Sequence, residues 1–74
     1  IVNLPYHRHW IGRPLTELEA AVGVHAAFVV RFGRGLLPSA ETVVQDGDLV
    51  YASVLSRDIH DVADKAAISP VDGL

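Results

Sequence analysis

The sequence predicts an α+β domain, a small and mostly antiparallel sheet carrying two short helices in the order β-α-β-β-β-α. Three observations lead there. Apolar residues alternate with a period of two in several short runs, the mark of strands. Two other stretches repeat at helical spacing. The central strand runs are separated by tight clusters of turn residues, which suits hairpins; a doubly wound sheet would place a helix after each strand.

The first run, Ile1 to Tyr6, puts Val2, Leu4 and Tyr6 on one face and Asn3 and Pro5 on the other. Pro5 has no N–H to give a neighbour, so this strand belongs at a sheet edge. His7-Arg8-His9 reads as a polar bend, and Trp10-Ile11 as an apolar pair closing over the core. Gly12-Arg13-Pro14 then punctuates the chain before a helix. Pro14 suits a first turn, where its missing N–H costs nothing. Thr16 and Glu19 have the spacing of a reciprocal cap. Leu15, Leu18 and Val22 make the apolar stripe, Glu17 and Glu19 suit the positive end of the helix dipole, and Gly23 ends the helix.

His25 to Phe32 is the clearest strand. Ala26, Phe28, Val30 and Phe32 point one way, and Ala27, Val29 and Arg31 the other. Both faces are apolar except for Arg31, so both are expected to be covered. Gly33-Arg34-Gly35 is expected to turn the hairpin, with Leu36-Leu37 returning and Pro38 ending that strand. Thr42 to Val44 favours an extended segment, Asp46-Gly47-Asp48 a turn, and Leu49 to Leu55 a core strand. Ser56 or Asp58 caps the second helix, whose stripe is Ile59, Val62, Ala63 and Ala66, with Asp61 and Asp64 facing water. The domain is expected over residues 1–68, with 69–74 as a flexible tail.

Composition narrows the function. The chain has 74 residues, enough for one small domain, and is 50% hydrophobic and 20% charged, which excludes a disordered segment. A domain near this size buries only about 60% of the surface its unfolded chain exposes, so its core is thin and a partner surface would help it. Six Lys and Arg stand against nine Asp and Glu, a formal charge of -3, with no basic stripe; no nucleic-acid partner is expected. The absence of Cys removes disulfides, thiolate nucleophiles and Cys-based zinc sites, and tilts the expected location to the cytosol. No apolar run nears the roughly 18 residues of a membrane span, so no direct membrane insertion is expected. With no Met even at position 1, the chain reads as a piece of a longer protein.

Candidate chemistry is sparse. His7 and His9 would share a strand face and could ligate zinc or nickel, but a third ligand would have to come from far along the chain; a solvated bend is the simpler reading. Asp46-Gly47-Asp48 resembles the start of a calcium loop, yet the twelfth position is Arg57 where a Glu is needed. Gly33-Arg34-Gly35 lacks the Lys and following helix of a phosphate cradle. Arg13, beside the helix start, either meets an anion or pairs with Glu17. No nucleophile, base and oxyanion donors can be assembled, so the chain is not expected to be an enzyme.

Four motifs occur in a telling order. Trp10-Ile11-Gly12-Arg13-Pro14-Leu15 precedes a short helix ending at Gly23. Phe28-Val29-Val30-Arg31-Phe32-Gly33 is a strand ending in Arg-x-Gly, and Leu36-Leu37-Pro38 a strand ending in Pro. Thr42 to Val50 is an apolar segment, then Gly47-Asp48, then a core strand. From about Val2 to Ala66 this pattern resembles the TrkA C-terminal domain family, also called RCK_C.

The resemblance implies a cytosolic regulatory and dimerisation domain of a potassium uptake system, peripheral to the inner face of the cell membrane. It implies a homodimer, a membrane-embedded potassium transporter or channel subunit as the parent protein's partner, and conformational change rather than chemistry. A Rossmann nucleotide-binding domain would lie upstream and hold any NAD or ATP, leaving no cofactor in this segment. The family's ligand-binding positions, carried over, are Leu15, Thr16, Glu19, His25, Ala26 and Pro38. The alternative it implies is a small-molecule sensor, for a cyclic dinucleotide or a divalent cation, on another transporter or antiporter.

Overall fold

The structure, a computed structural model, describes residues 1–70. Its elements are β1 (Val2–Leu4), a 3-10 turn (Arg8–Trp10), α1 (Leu15–Val22), β2 (His25–Arg31), β3 (Arg34–Leu36), β4 (Leu49–Ser53), a second 3-10 turn (Ser56–Asp58) and α2 (Ile59–Ala66). The expected order is the observed one. The four strands pair antiparallel in the order β1-β4-β2-β3, so β1 lies at an edge as Pro5 requires.

Both helices pack on one face of the sheet. Leu15, Leu18 and Val22 of α1 and Val62 and Ala66 of α2 close over Leu4, Val29 and Val50. Trp10 fills the gap beside α2, its indole N–H donating to the Ile68 carbonyl at 3.2 Å. The His7 N–H reaches the Ala66 carbonyl at 2.9 Å, which ties the first 3-10 turn to the end of α2. Gly23 takes the left-handed conformation expected of it, φ 81°, and closes α1. Val44 belongs to the core although it sits in irregular chain; its N–H and carbonyl are satisfied by Arg13 and Gly12 at 2.9 and 2.7 Å.

Several local expectations are corrected. Thr16 does not cap α1. Pro14 occupies the cap position with no side-chain hydrogen bond, and the Leu15 N–H is taken by the Thr42 carbonyl at 2.8 Å. Asp58 stands at the cap of α2 without a side-chain hydrogen bond. Ile11 is partly exposed and does not join Trp10 in the core. Ser69, the first residue of the expected tail, is buried, with its hydroxyl 2.7 Å from Nδ1 of His9; residues 71–74 lie outside the described residues.

The larger correction concerns β2. Its pairing with β4 shifts between Ala26 and Phe28, an extra residue that breaks the simple alternation. Ala26 pairs with Ala52 and Val29 with Val50 on the core face, while Phe28 pairs with Tyr51 on the outer face. Phe28 and Val30 are therefore only half-buried, so within one copy of the chain the expected cover on both faces of this strand is met on the helix side alone. The hairpin turn also moves back one residue. Arg31 pairs with Arg34, so Phe32 and Gly33 make the turn, at φ 52° and 75°. Two consecutive positive φ values define the turn that matches strand twist, a conformation glycine and asparagine favour and a phenylalanine resists.

Phe32 is 92% exposed, so this strain is not offset by burial within the chain. Phe32→Asn is expected to stabilise the folded chain by about 0.5–1 kcal/mol, read as a higher urea midpoint with an unchanged denaturant slope. A loss of stability would show that the ring contributes to the fold.

Candidate functional site

The polar centre of the molecule joins two motifs that are distant in sequence. The shift at Ala27 turns Arg31 to the core side of the sheet, where it meets Asp48 in the turn before β4. Arg31 Nε donates to Asp48 Oδ1 at 2.9 Å and Arg31 Nη2 to Oδ2 at 2.8 Å, a two-pronged pair. The Gln45 N–H donates to the same Oδ2 at 3.0 Å, and Arg31 Nη2 also reaches the Val43 carbonyl at 3.1 Å. Tyr6 donates its hydroxyl to the Asp48 carbonyl. Asp48 is only 4% exposed, yet its acceptors are met.

Electrostatics follow the geometry. The Arg31 hydrogen bonds hold the Asp48 carboxyl below its ordinary range; burial opposes them and loses, while the Gln45 N–H and the charge of Arg31 add to the lowering. Burial pushes the Tyr6 phenol up, and the carboxylates of Asp48 and Asp46 push the same way, so it remains a donor.

The carried-over positions are partly assembled. Thr16, Glu19 and His25 line one hollow of about 390 Å³ with Ala20, Gly23 and Val24. Glu19 Oε2 accepts from the Ala26 N–H at 2.8 Å and lies 4.0 Å from His25 Nδ1. The carboxylate read as a helix cap thus fastens α1 to the start of β2. Leu15 is 1% exposed and offers a ligand no side chain. Pro38 lines a different hollow, with Val29, Leu36 and Thr42 among its neighbours. A single copy of the chain therefore does not gather all six.

The other candidates resolve simply. The His7 and His9 rings lie with centroids 4.7 Å apart and planes inclined at 60°, and both Nδ1 atoms are engaged, one by the His9 N–H at 3.1 Å and the other by Ser69. Among the described residues no group of three His, Cys, Asp or Glu is placed to hold a metal ion. Arg13 forms no ion pair with Glu17. Asp46-Gly47 turns the chain into β4, with Gly47 at φ 86°.

The sequence profile of the TrkA-C domain matches residues 1–67. The chain belongs to the TrkA-C domain family. It is 39% identical over 61 residues to the Trk system potassium uptake protein TrkA of Streptomyces coelicolor, a match that takes in 82% of this chain. The chain spans 27% of that relative's length. No solved structure matches it. The Arg-x-Gly and Gly-Asp motifs on which the family resemblance rested are, in this TrkA-C domain, the two halves of the Arg31–Asp48 pair. Sequence reading missed that they touch. The available signal was Arg31 itself, the lone charge on an otherwise apolar strand.

Asp48→Asn keeps the shape and removes the charge that Arg31 faces. It is expected to cost roughly 2–3 kcal/mol, at or below the foot of the range for breaking a fully buried pair, because Arg31 is partly open to water. The pH dependence has a definite sign. The folded-state carboxyl titrates below its unfolded value of about 3.9, so the stabilisation is present above that pH and fades as pH falls through the lowered folded value. Melting curves from about pH 5 down to about pH 3 should fall more steeply for the parent chain than for Asp48→Asn. Equal slopes would show that the pair does not set acid stability.

Proposed function

We propose that this TrkA-C domain is the regulatory end of a potassium uptake protein, working by pairing with a second copy of itself rather than by catalysis. The observation that carries the reading is the uncovered side of the sheet. Phe28 and Tyr51 stack there with centroids 4.7 Å apart, beside Val30 and Leu49, while both helices occupy the opposite side. Gly35, in register with Val30, keeps that side flat toward β3. Tyr51 faces Asn3 on the β1 side, and His25 sits with Ser53 at one end.

A second copy fits this face for an electrostatic reason. A two-fold axis sets a surface against itself, so a charge near the axis would meet its like. The chain carries a formal charge of -3, yet Phe28, Val30, Leu49 and Tyr51 carry none. Two such faces meet without repulsion and remove aromatic area from water. A thin core gains from the same contact.

The relative's name supports the potassium assignment. The membrane-embedded transporter or channel that such a protein would serve, the position at the inner face of the membrane, and an upstream nucleotide-binding domain that holds NAD or ATP are parts of the same proposal. No helix among the described residues is long and apolar enough to cross a membrane. Regulation would come from a ligand that binds one arrangement of the pair better than another, since only differential affinity shifts an equilibrium.

A second reading, a small-molecule sensor, is favoured by the hollow that gathers Thr16, Glu19 and His25. With Glu19 in its wall, it suits a divalent cation or the donor groups of a nucleotide base better than a phosphate.

The pairing is tested by sedimentation of the 74-residue chain. A concentration-dependent dimer is expected, lost in Leu49→Lys and in Phe28→Glu, with Leu49→Lys retaining the parent's far-ultraviolet circular dichroism. A monomer at high micromolar concentration, or dimers unaffected by either change, would sink it. The sensor reading is tested by a melting screen with cyclic dinucleotides and divalent ions. A ligand specific to the folded state adds about 2.7 kcal/mol at a hundred times its dissociation constant. An upward shift that disappears in Glu19→Gln is expected; no shift with any compound removes the reading.

A further inference from the structure

The cations of this chain are unevenly employed. Arg31 is taken by Asp48, and Lys65 pairs with Asp61 one turn away at 3.1 Å. Arg8 and Arg13 have no ion-pair or side-chain hydrogen-bond partner among the described residues, and both line the same open hollow of about 580 Å³ with His9, Ile11 and Asp46. In a chain of formal charge -3, two unpaired guanidinium groups around one hollow run against the overall balance.

The frame around them is fixed by backbone bonds. Arg13 donates its N–H to the Trp10 carbonyl at 3.0 Å and accepts from the Val44 N–H at 2.9 Å. The Gly12 N–H meets the Val44 carbonyl at 2.7 Å, so the segment before α1 is bound to the segment that leads to Asp46. His9 is held through Nδ1 by Ser69, which leaves Nε2 as the ring's remaining polar atom. The hollow is built by two stretches of chain, residues 8–13 and the turn at Asp46, locked to one another through Val44, which limits the reorganisation a ligand would cause.

We propose that Arg8, Arg13 and His9 form a binding site for a phosphoryl oxyanion, in the hollow between the first 3-10 turn and the Asp46 turn. The charge balance selects the ligand. Asp46 offsets one guanidinium, so a singly charged carboxylate gains little. A phosphate group carries close to two negative charges and three terminal oxygens, enough to engage both planar guanidinium forks and the imidazole together. The site is separate from the Thr16–Glu19–His25 hollow and from the uncovered sheet face, and it stands whether or not the chain dimerises. The phosphoryl group could belong to a phosphate in solution or to the phosphomonoester headgroup of an acidic lipid.

The test uses the full-length protein at low ionic strength, where exposed charges are least screened. One arm is equilibrium dialysis against radiolabelled inorganic phosphate. The other is co-sedimentation with vesicles containing phosphatidic acid, whose headgroup is a phosphomonoester, compared with vesicles of phosphatidylcholine. Saturable binding in either arm is expected, and the arm that responds identifies the source. Arg8→Gln and Arg13→Gln should each weaken that binding about tenfold, the weight of one charge-assisted hydrogen bond. Asp46→Asn should tighten it about threefold by removing a like charge. Tightening in Asp46→Asn is readable even if an arginine variant fails to fold. Binding in neither arm, or binding that none of the three substitutions changes, overturns the proposal.

Discussion

The Arg31–Asp48 pair joins the end of β2 to the turn that opens β4, and so spans the most extensively paired strands of the sheet. Its existence depends on a single extra residue at Ala27. Without the register shift there, strict alternation would carry Arg31 to the other side of the sheet from Val29's present partners, and Asp48 would be buried with no counter-charge. Desolvating two charges cancels much of their attraction, so the pair says more about register than about net stability. Arg31 can satisfy Asp48 in one alignment of β2, which ties the two-pronged geometry to the position of every residue that follows the bulge.

That alignment decides which side of the sheet is left open. After the bulge, Val29 points into the core and Phe28 and Val30 point away from it, toward Tyr51 and Leu49. An aromatic pair on the helix-free side is an odd use of a thin core's scarce large residues. Apolar area contributes only where water is removed, and this chain alone leaves that side partly wet. The internal charge pair and the uncovered apolar face are consequences of one irregularity in one strand.

The order of elements, the edge position of β1 and the Gly23 terminus were all legible because each follows from local chemistry: strand alternation, a missing N–H, a positive φ. The bulge was not, because Ala26 and Ala27 are small and apolar on either reading and alternation runs through them unbroken. The turn at Phe32 was hidden by better turn residues next to it; tertiary register overrode the local preference of Gly33-Arg34-Gly35. Glu19 had the spacing of a cap but found a long-range donor in Ala26. In the candidate site, Thr16, Glu19 and His25 did come together, since a helix end and the following strand are adjacent by necessity. Leu15 and Pro38 did not join them, because Leu15 belongs to the apolar stripe of α1 and Pro38 follows a different edge of the sheet.

The interior leaves little for a ligand to act on. Among the described residues no buried side-chain nitrogen or oxygen lacks a hydrogen-bond partner, and Asp48, the most deeply placed charge, has its oxygens engaged. A satisfied interior has no polar group whose pairing a small molecule could improve. Any regulatory free energy must therefore enter at the surface. The Asp46-Gly47-Asp48 turn is suited to carry it, since Asp48 anchors the core while Asp46, two residues earlier, borders the hollow of Arg8 and Arg13. Adjacency alone transmits nothing; coupling requires that the turn have two arrangements which a ligand distinguishes. Asp48 is clamped by Arg31 and the Gln45 N–H, and its own N–H closes onto the Gln45 carbonyl at 3.0 Å, so an anion in the hollow would act on a turn tied on both sides of Asp46 to the pair that sets the sheet's register.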